Sequence, residues 1–172
     1  MEPSPRHVAE TVADVLAARW PANEAQRSAW FDRLGLSPAV PLEGFRRWGT
    51  GLPGWGNTTT CWGVSGDNVT GISLFLWEEY PFEQRALARD ALEAELRDSL
   101  GEPTLRPVPG HAGWLEWNCG ELVVELSSGS PLSRRIQVHV VHSGHTEEFE
   151  ERTCADDLPP RVNGFRKHHV PA

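Results

Sequence analysis

The 172-residue chain predicts an α+β domain: a mostly antiparallel sheet of five to six strands, an N-terminal helical hairpin, and one long central helix packed on one face. Three observations carry this. Apolar residues recur at helical spacing over the first thirty-odd positions; one long amphipathic segment divides the chain; and period-two runs joined by turn chemistry lie on both sides of it. Strands joined by short turns pair antiparallel.

Val8, Val12, Val15 and Leu16 follow Ser4-Pro5, a cap and a first-turn proline, so a helix is expected from Pro5 to Arg19. Trp20-Pro21 breaks it. Asn23 can cap a second helix carrying Trp30, Phe31 and Leu34 that stops at Gly35, completing the hairpin. Between Gly35 and Gly56 the prolines and glycines leave room for one brief strand at Phe45–Trp48. Thr58–Val64 and Val69–Trp77 are rich in β-branched and aromatic residues and flank the turn Ser65-Gly66-Asp67-Asn68, which predicts a β-hairpin.

Pro81 opens the central helix, PFEQRALARDALEAELRDSLGEP. Ala88, Leu92, Leu96 and Leu100 line one side, Gly101 supplies the cap, and Pro103 blocks continuation. Gly113–Asn118, Glu121–Ser127 and Arg134–His142 then read as three consecutive antiparallel strands. Leu122, Val124 and Leu126 share one side of the second, and Ile136, Val138 and Val140 one side of the third. Residues 1–142 form the expected domain. Residues 143–172 lack periodicity and are expected to be an acidic, loop-like or partly disordered tail.

Composition narrows the functional classes. With 39% apolar and 23% charged residues, a chain of this length can bury a core without disulfides or metal. Cys61, Cys119 and Cys154 are odd in number and form no Cys-x-x-Cys pair, the pattern of free thiols in a reducing compartment. The start of the chain lacks the charged and apolar blocks of a secretion signal, and no segment is apolar enough to span a bilayer. A cytoplasmic location is the expectation. The net charge of -8 opposes phosphate-backbone binding, so nucleic acid is not the expected partner, and it favours a cationic or neutral one. Lys167 is the only lysine beside many arginines, a bias that fits a GC-rich, actinobacterial genome.

The stretch QVHVVHSGHTEEF spaces His139, His142 and His145 three apart. On a strand, positions 139 and 142 project from opposite faces, so these imidazoles are not expected to share a metal. Ser143-Gly144 interrupts the helix that would reunite all three. No metal and no cofactor is expected. Cys119 lacks a sequence partner for nucleophilic chemistry, and Glu116, Glu121 and Glu125 fit a solvated face better than a glycosidase pair. No catalytic residue is assigned.

Eight tryptophans, at 20, 30, 48, 55, 62, 77, 114 and 117, offer large anchors for a core or a partner. Trp48 and Trp55 lie in RRWGTGLPGWGN and are expected to be exposed as a binding surface. Acidic residues cluster at Glu78-Glu79 and at Glu147, Glu148, Glu150 and Glu151, where they would steer a basic partner.

The hairpin TTTCWGVSGDNVTGISLFLW, the helix RALARDALEAELRDSLGEP and the strands GWLEWN and ELVVELS give a layout over residues 5 to 142 that resembles small acidic bacterial toxin-immunity proteins and uncharacterised actinobacterial families of that kind. The resemblance implies a non-catalytic, protein-binding module that neutralises a cognate toxin by occlusion. It assigns no residue a role. The alternative is a small enzyme or ligand-binding protein with a Trp-lined pocket between sheet and helices, using Glu or His as its polar group.

Overall fold

The computed structural model describes residues 1–22, 24–34, 37–41, 46–50, 55, 59–65, 68–106, 114–128 and 136–145. Among the described residues, three helices, α1 (Pro5–Ala17), α2 (Glu24–Leu34) and α3 (Phe82–Leu100), accompany eight strands. The strands are β1 (Ser37–Pro41), β2 (Arg46–Thr50), β3 (Thr59–Ser65), β4 (Asn68–Leu76), β5 (Thr104–Arg106), β6 (Trp114–Cys119), β7 (Leu122–Ser128) and β8 (Ile136–His142).

All neighbours in the sheet are antiparallel, in the order β1-β2-β3-β4-β8-β7-β6-β5. Two four-stranded meanders, β1 to β4 and β5 to β8, meet at the β4–β8 pair. The class is the predicted α+β, but the sheet has eight strands rather than five or six. The two that period-two reading passes over are its edges. Strand β1, SPAVP, contains two prolines, which deprive it of ladder donors, and β5 is three residues long between Pro103 and Pro107. Short, proline-bearing strands are what sheet edges tolerate.

Local chemistry fixes the helices where the sequence indicated. Ser4 caps α1, its Oγ accepting from the His7 amide at 3.2 Å. Gly101, at φ 86°, ends α3 with its N–H donating to Arg97 O. Val8, Val12 and Val15 of α1 and Ala88, Leu92 and Leu96 of α3 are buried, and α1 packs against α3. Both join one core with Ile72, Leu74 and Leu76 of β4, Val124 and Leu126 of β7, and Ile136, Val138 and Val140 of β8. In register, Ile72 faces Val140, Leu74 faces Val138 and Leu76 faces Ile136. The inward positions of the alternation are therefore the helix-covered face of the sheet.

Tryptophan indoles tie segments to this core through their N–H groups. Trp77 donates to Pro3 O at 2.8 Å, Trp117 to Gly101 O at 2.8 Å and Trp20 to Val69 O at 2.7 Å. A buried indole needs such a partner, and here each bond also fixes a chain entry or exit.

Candidate functional site

Alternation places the remaining side chains of β3 to β8 on the outer face, away from α1 and α3. One row crosses it: Cys61 opposes Ser73, Ser73 opposes His139, His139 opposes Glu125, and Glu125 opposes Glu116. Trp48 holds the next register position, opposite Cys61, and Thr104 the one beyond Glu116. These polar groups are not fully solvated. Cys61, Ser73 and Glu116 are buried, while Glu125 and His139 are 14% and 27% exposed at their side chains.

His139 is held on both sides. Its Nδ1 lies 3.4 Å from Glu125 Oε2, within ion-pairing reach of the carboxylate. The ring leans over Gly71, so that a Cβ on residue 71 would stand 2.7 Å from Nε2. A side chain at residue 71 would force the imidazole to shift. Beside it, Gln137 Nε2 donates to Ser73 Oγ at 3.1 Å. The arrangement sets one oriented imidazole beside a carboxylate, the pairing that general acid–base chemistry uses.

His139 and His142 project from opposite faces, as the spacing requires. His142 and His145 nevertheless meet, because Ser143–His145 form a helical turn at the end of β8. Their rings stack at 3.9 Å with planes 13° apart. Ser143-Gly144, expected to break a helix, builds the turn that joins them. The expected tail boundary at residue 142 also shifts: Ser143 N and Oγ both donate to Glu121 O, at 3.0 and 3.1 Å, and His145 Nδ1 reaches Val69 O at 2.9 Å. Residues 143–145 belong to the folded body. No group of three or more His, Cys, Asp or Glu side chains among the described residues is arranged to hold a metal ion.

The predicted partner-binding residues fare differently. Trp55 is 1% exposed, its ring edge-on to His7 and its Nε1 donating to His7 Nε2 at 3.3 Å. This corrects the expectation of an exposed Trp48–Trp55 pair: a glycine-rich loop does not keep an indole in water when an apolar slot and an acceptor are within reach. For Trp48 the strand position is defined, but its side chain lies outside the described residues, as do Glu147, Glu148, Glu150 and Glu151. Glu78 and Glu79 are exposed in the turn that follows β4. Trp77, just before them, has a positive φ of 56° and is 2% exposed. A bulky residue rarely adopts that backbone, and the buried, hydrogen-bonded indole holds it there.

Cys61 is buried and Cys119 half-buried, both as free thiols. Burial pushes the Cys119 thiol above its ordinary range, which keeps it protonated and a poor nucleophile at neutral pH. Within the described residues no helix is long and apolar enough to cross a membrane.

No family model matches the chain, and no curated protein does either. Among solved structures it is similar to a DUF4309 family protein from Bacillus subtilis, with 12% identity and a TM-score of 0.43 over 67% of this chain and 77% of that one.

Proposed function

We propose that this chain is a non-catalytic, cytoplasmic protein-binding module of the immunity type, which neutralises a basic bacterial toxin by occlusion and receives it at the Glu78–Glu79 turn. The observation that carries the reading is the way that turn is built. Two exposed carboxylates follow a tryptophan whose buried indole fixes a left-handed backbone, so the acids stand on a rigid mount rather than a loose loop. Preorganised charge raises association rate and specificity, because little conformational freedom is lost on contact. The net charge of -8 adds long-range attraction for a basic partner. The proline-bearing and very short edge strands disfavour strand addition, which leaves side-chain recognition as the mode of contact.

A tagged full-length chain should recover one stoichiometric partner from its native host. Glu78→Lys with Glu79→Lys should then slow association by roughly tenfold at low salt and flatten its salt dependence. An unaltered association rate would remove the turn from the interface.

A second reading, a small ligand-binding protein or enzyme, is favoured by the oriented His139 over Gly71. It places the polar group on the outer face rather than between sheet and helices. A ligand that raises the melting temperature of the native chain but not of His139→Gln, together with no recovered partner, would select it.

A further inference from the structure

We infer that the solvent-facing side of α3 is a docking seam for a cationic amphipathic helix of the partner, with Leu87 as its apolar anchor, an inference that rests on the basic-partner reading above. The seam continues from the Glu78–Glu79 turn, since α3 opens at Phe82, directly after Tyr80 and Pro81.

At 3.6 residues per turn, α3 carries two apolar lines. Ala88, Leu92 and Leu96 are buried in the core that α3 shares with α1 and the sheet. Leu87, Ala91 and Ala94 lie on the opposite side and are exposed, Leu87 at 72%. They are spaced by four residues and then by three, the step along which helices pack, and alanines after a leucine let a second backbone come close. Among the described residues, the other exposed large hydrophobics are Met1, Phe82 and Leu105, and none of them is on this line.

The charges around the seam are acidic. Glu83, Asp90 and Asp98 border it, and all three are exposed. Arg89 and Arg97 are drawn to Glu93 on the flank of the helix, at 2.7 and 2.8 Å, and Arg97 also pairs with Glu102. Asp90 shares Arg89 at 3.0 Å, whereas no cation among the described residues lies within ion-pair distance of Glu83 or Asp98.

This pattern selects the occupant. A second copy would bring acid to acid: an antiparallel pair turns Glu83 toward the end that carries Asp98, and a parallel pair sets each acid beside its own equivalent. Nucleic acid and anionic membranes are repelled in the same way. A helix with leucine and small apolar residues on one side and arginine or lysine along its borders matches both features, its apolar line on Leu87, Ala91 and Ala94 and its cations beside Glu83 and Asp98.

The test uses the full chain, isotope-labelled for NMR. A synthetic helical peptide of about 18 residues, leucine and alanine on one side and arginine on the other, stands in for the partner. Amide shifts on titration at low salt should concentrate on α3 between Glu83 and Asp98. Leu87→Gln keeps a good helix former and should weaken binding by about tenfold, as loss of an anchor does. Ala94→Arg, which adds bulk and a cation to the seam, should weaken it by at least as much. Phe82→Ala removes another exposed apolar side chain of α3, 62% exposed but off the seam, and should leave the affinity unaltered. Glu83→Gln with Asp98→Asn should lower the affinity and flatten its salt dependence. A peptide with glutamate in place of arginine should not bind. Absence of binding by the arginine peptide, shifts centred away from α3, equal losses in Leu87→Gln and Phe82→Ala, or undiminished binding by Ala94→Arg would each overturn the seam. Because the peptide replaces the partner, that result does not depend on recovery of a partner from the host, so the seam and the toxin reading fail separately.

Discussion

The two faces of the sheet use the same strands and obey different rules. On the helix-covered face, Leu74, Leu76, Val124, Leu126, Val138 and Val140 are buried against α1 and α3, and any well-fitting apolar group of similar volume would serve. On the outer face, a run of Cys61, Ser73, His139, Glu125 and Glu116 depends on who stands opposite whom. Burial of area is tolerant of identity, whereas a cross-strand polar pair is satisfied only in one register. A mutation on the first face therefore acts through volume, and one on the second through a particular neighbour.

The largest break in that contrast comes from Leu92→Ala, which empties space under a fully buried helix side chain. It should cost about 2 to 5 kcal/mol in denaturant unfolding. Next is Gly71→Ala, whose new Cβ would meet His139 Nε2 at 2.7 Å and Val140 O at 3.0 Å. It should cost about 1 to 3 kcal/mol by overpacking. Most of that loss should vanish in a His139→Ala background, since the imbalance belongs to the pair; equal losses in both backgrounds would assign it to the backbone contact instead. The smallest effect has the opposite sign. Thr60 is fully buried on the helix-covered face, opposite Leu74, and its hydroxyl has no hydrogen-bond partner among the described residues. Thr60→Val should raise stability by about 1 kcal/mol; a loss would mean that this hydroxyl is satisfied after all.

The helix-covered face was legible in the sequence, because Val8, Val12 and Val15 or Leu122, Val124 and Leu126 declare their side by spacing alone. The outer row was not. Glu125 and His139 belong to strands whose alternation was read correctly, yet their meeting depends on register across residues 129–135, which no periodicity specifies. The strand parity that separates His139 from His142 held, while the turn that gathers His142 and His145 needed tertiary bonds to Val69 and Glu121. Trp55 shows the same limit. A Gly/Pro-rich neighbourhood identifies a loop but not where its indole goes, and the His7 acceptor lies 48 residues away.

The tether from the Trp77 indole to Pro3 O, with the Glu2 amide donating to Tyr80 Oη at 3.2 Å, brings the first residues alongside the Glu78–Glu79 turn. Anything fused ahead of Met1 would thus emerge beside the carboxylates proposed to meet a partner. A basic purification tag at that end would act as an intramolecular competitor, and capture experiments call for a neutral tag separated by a long spacer.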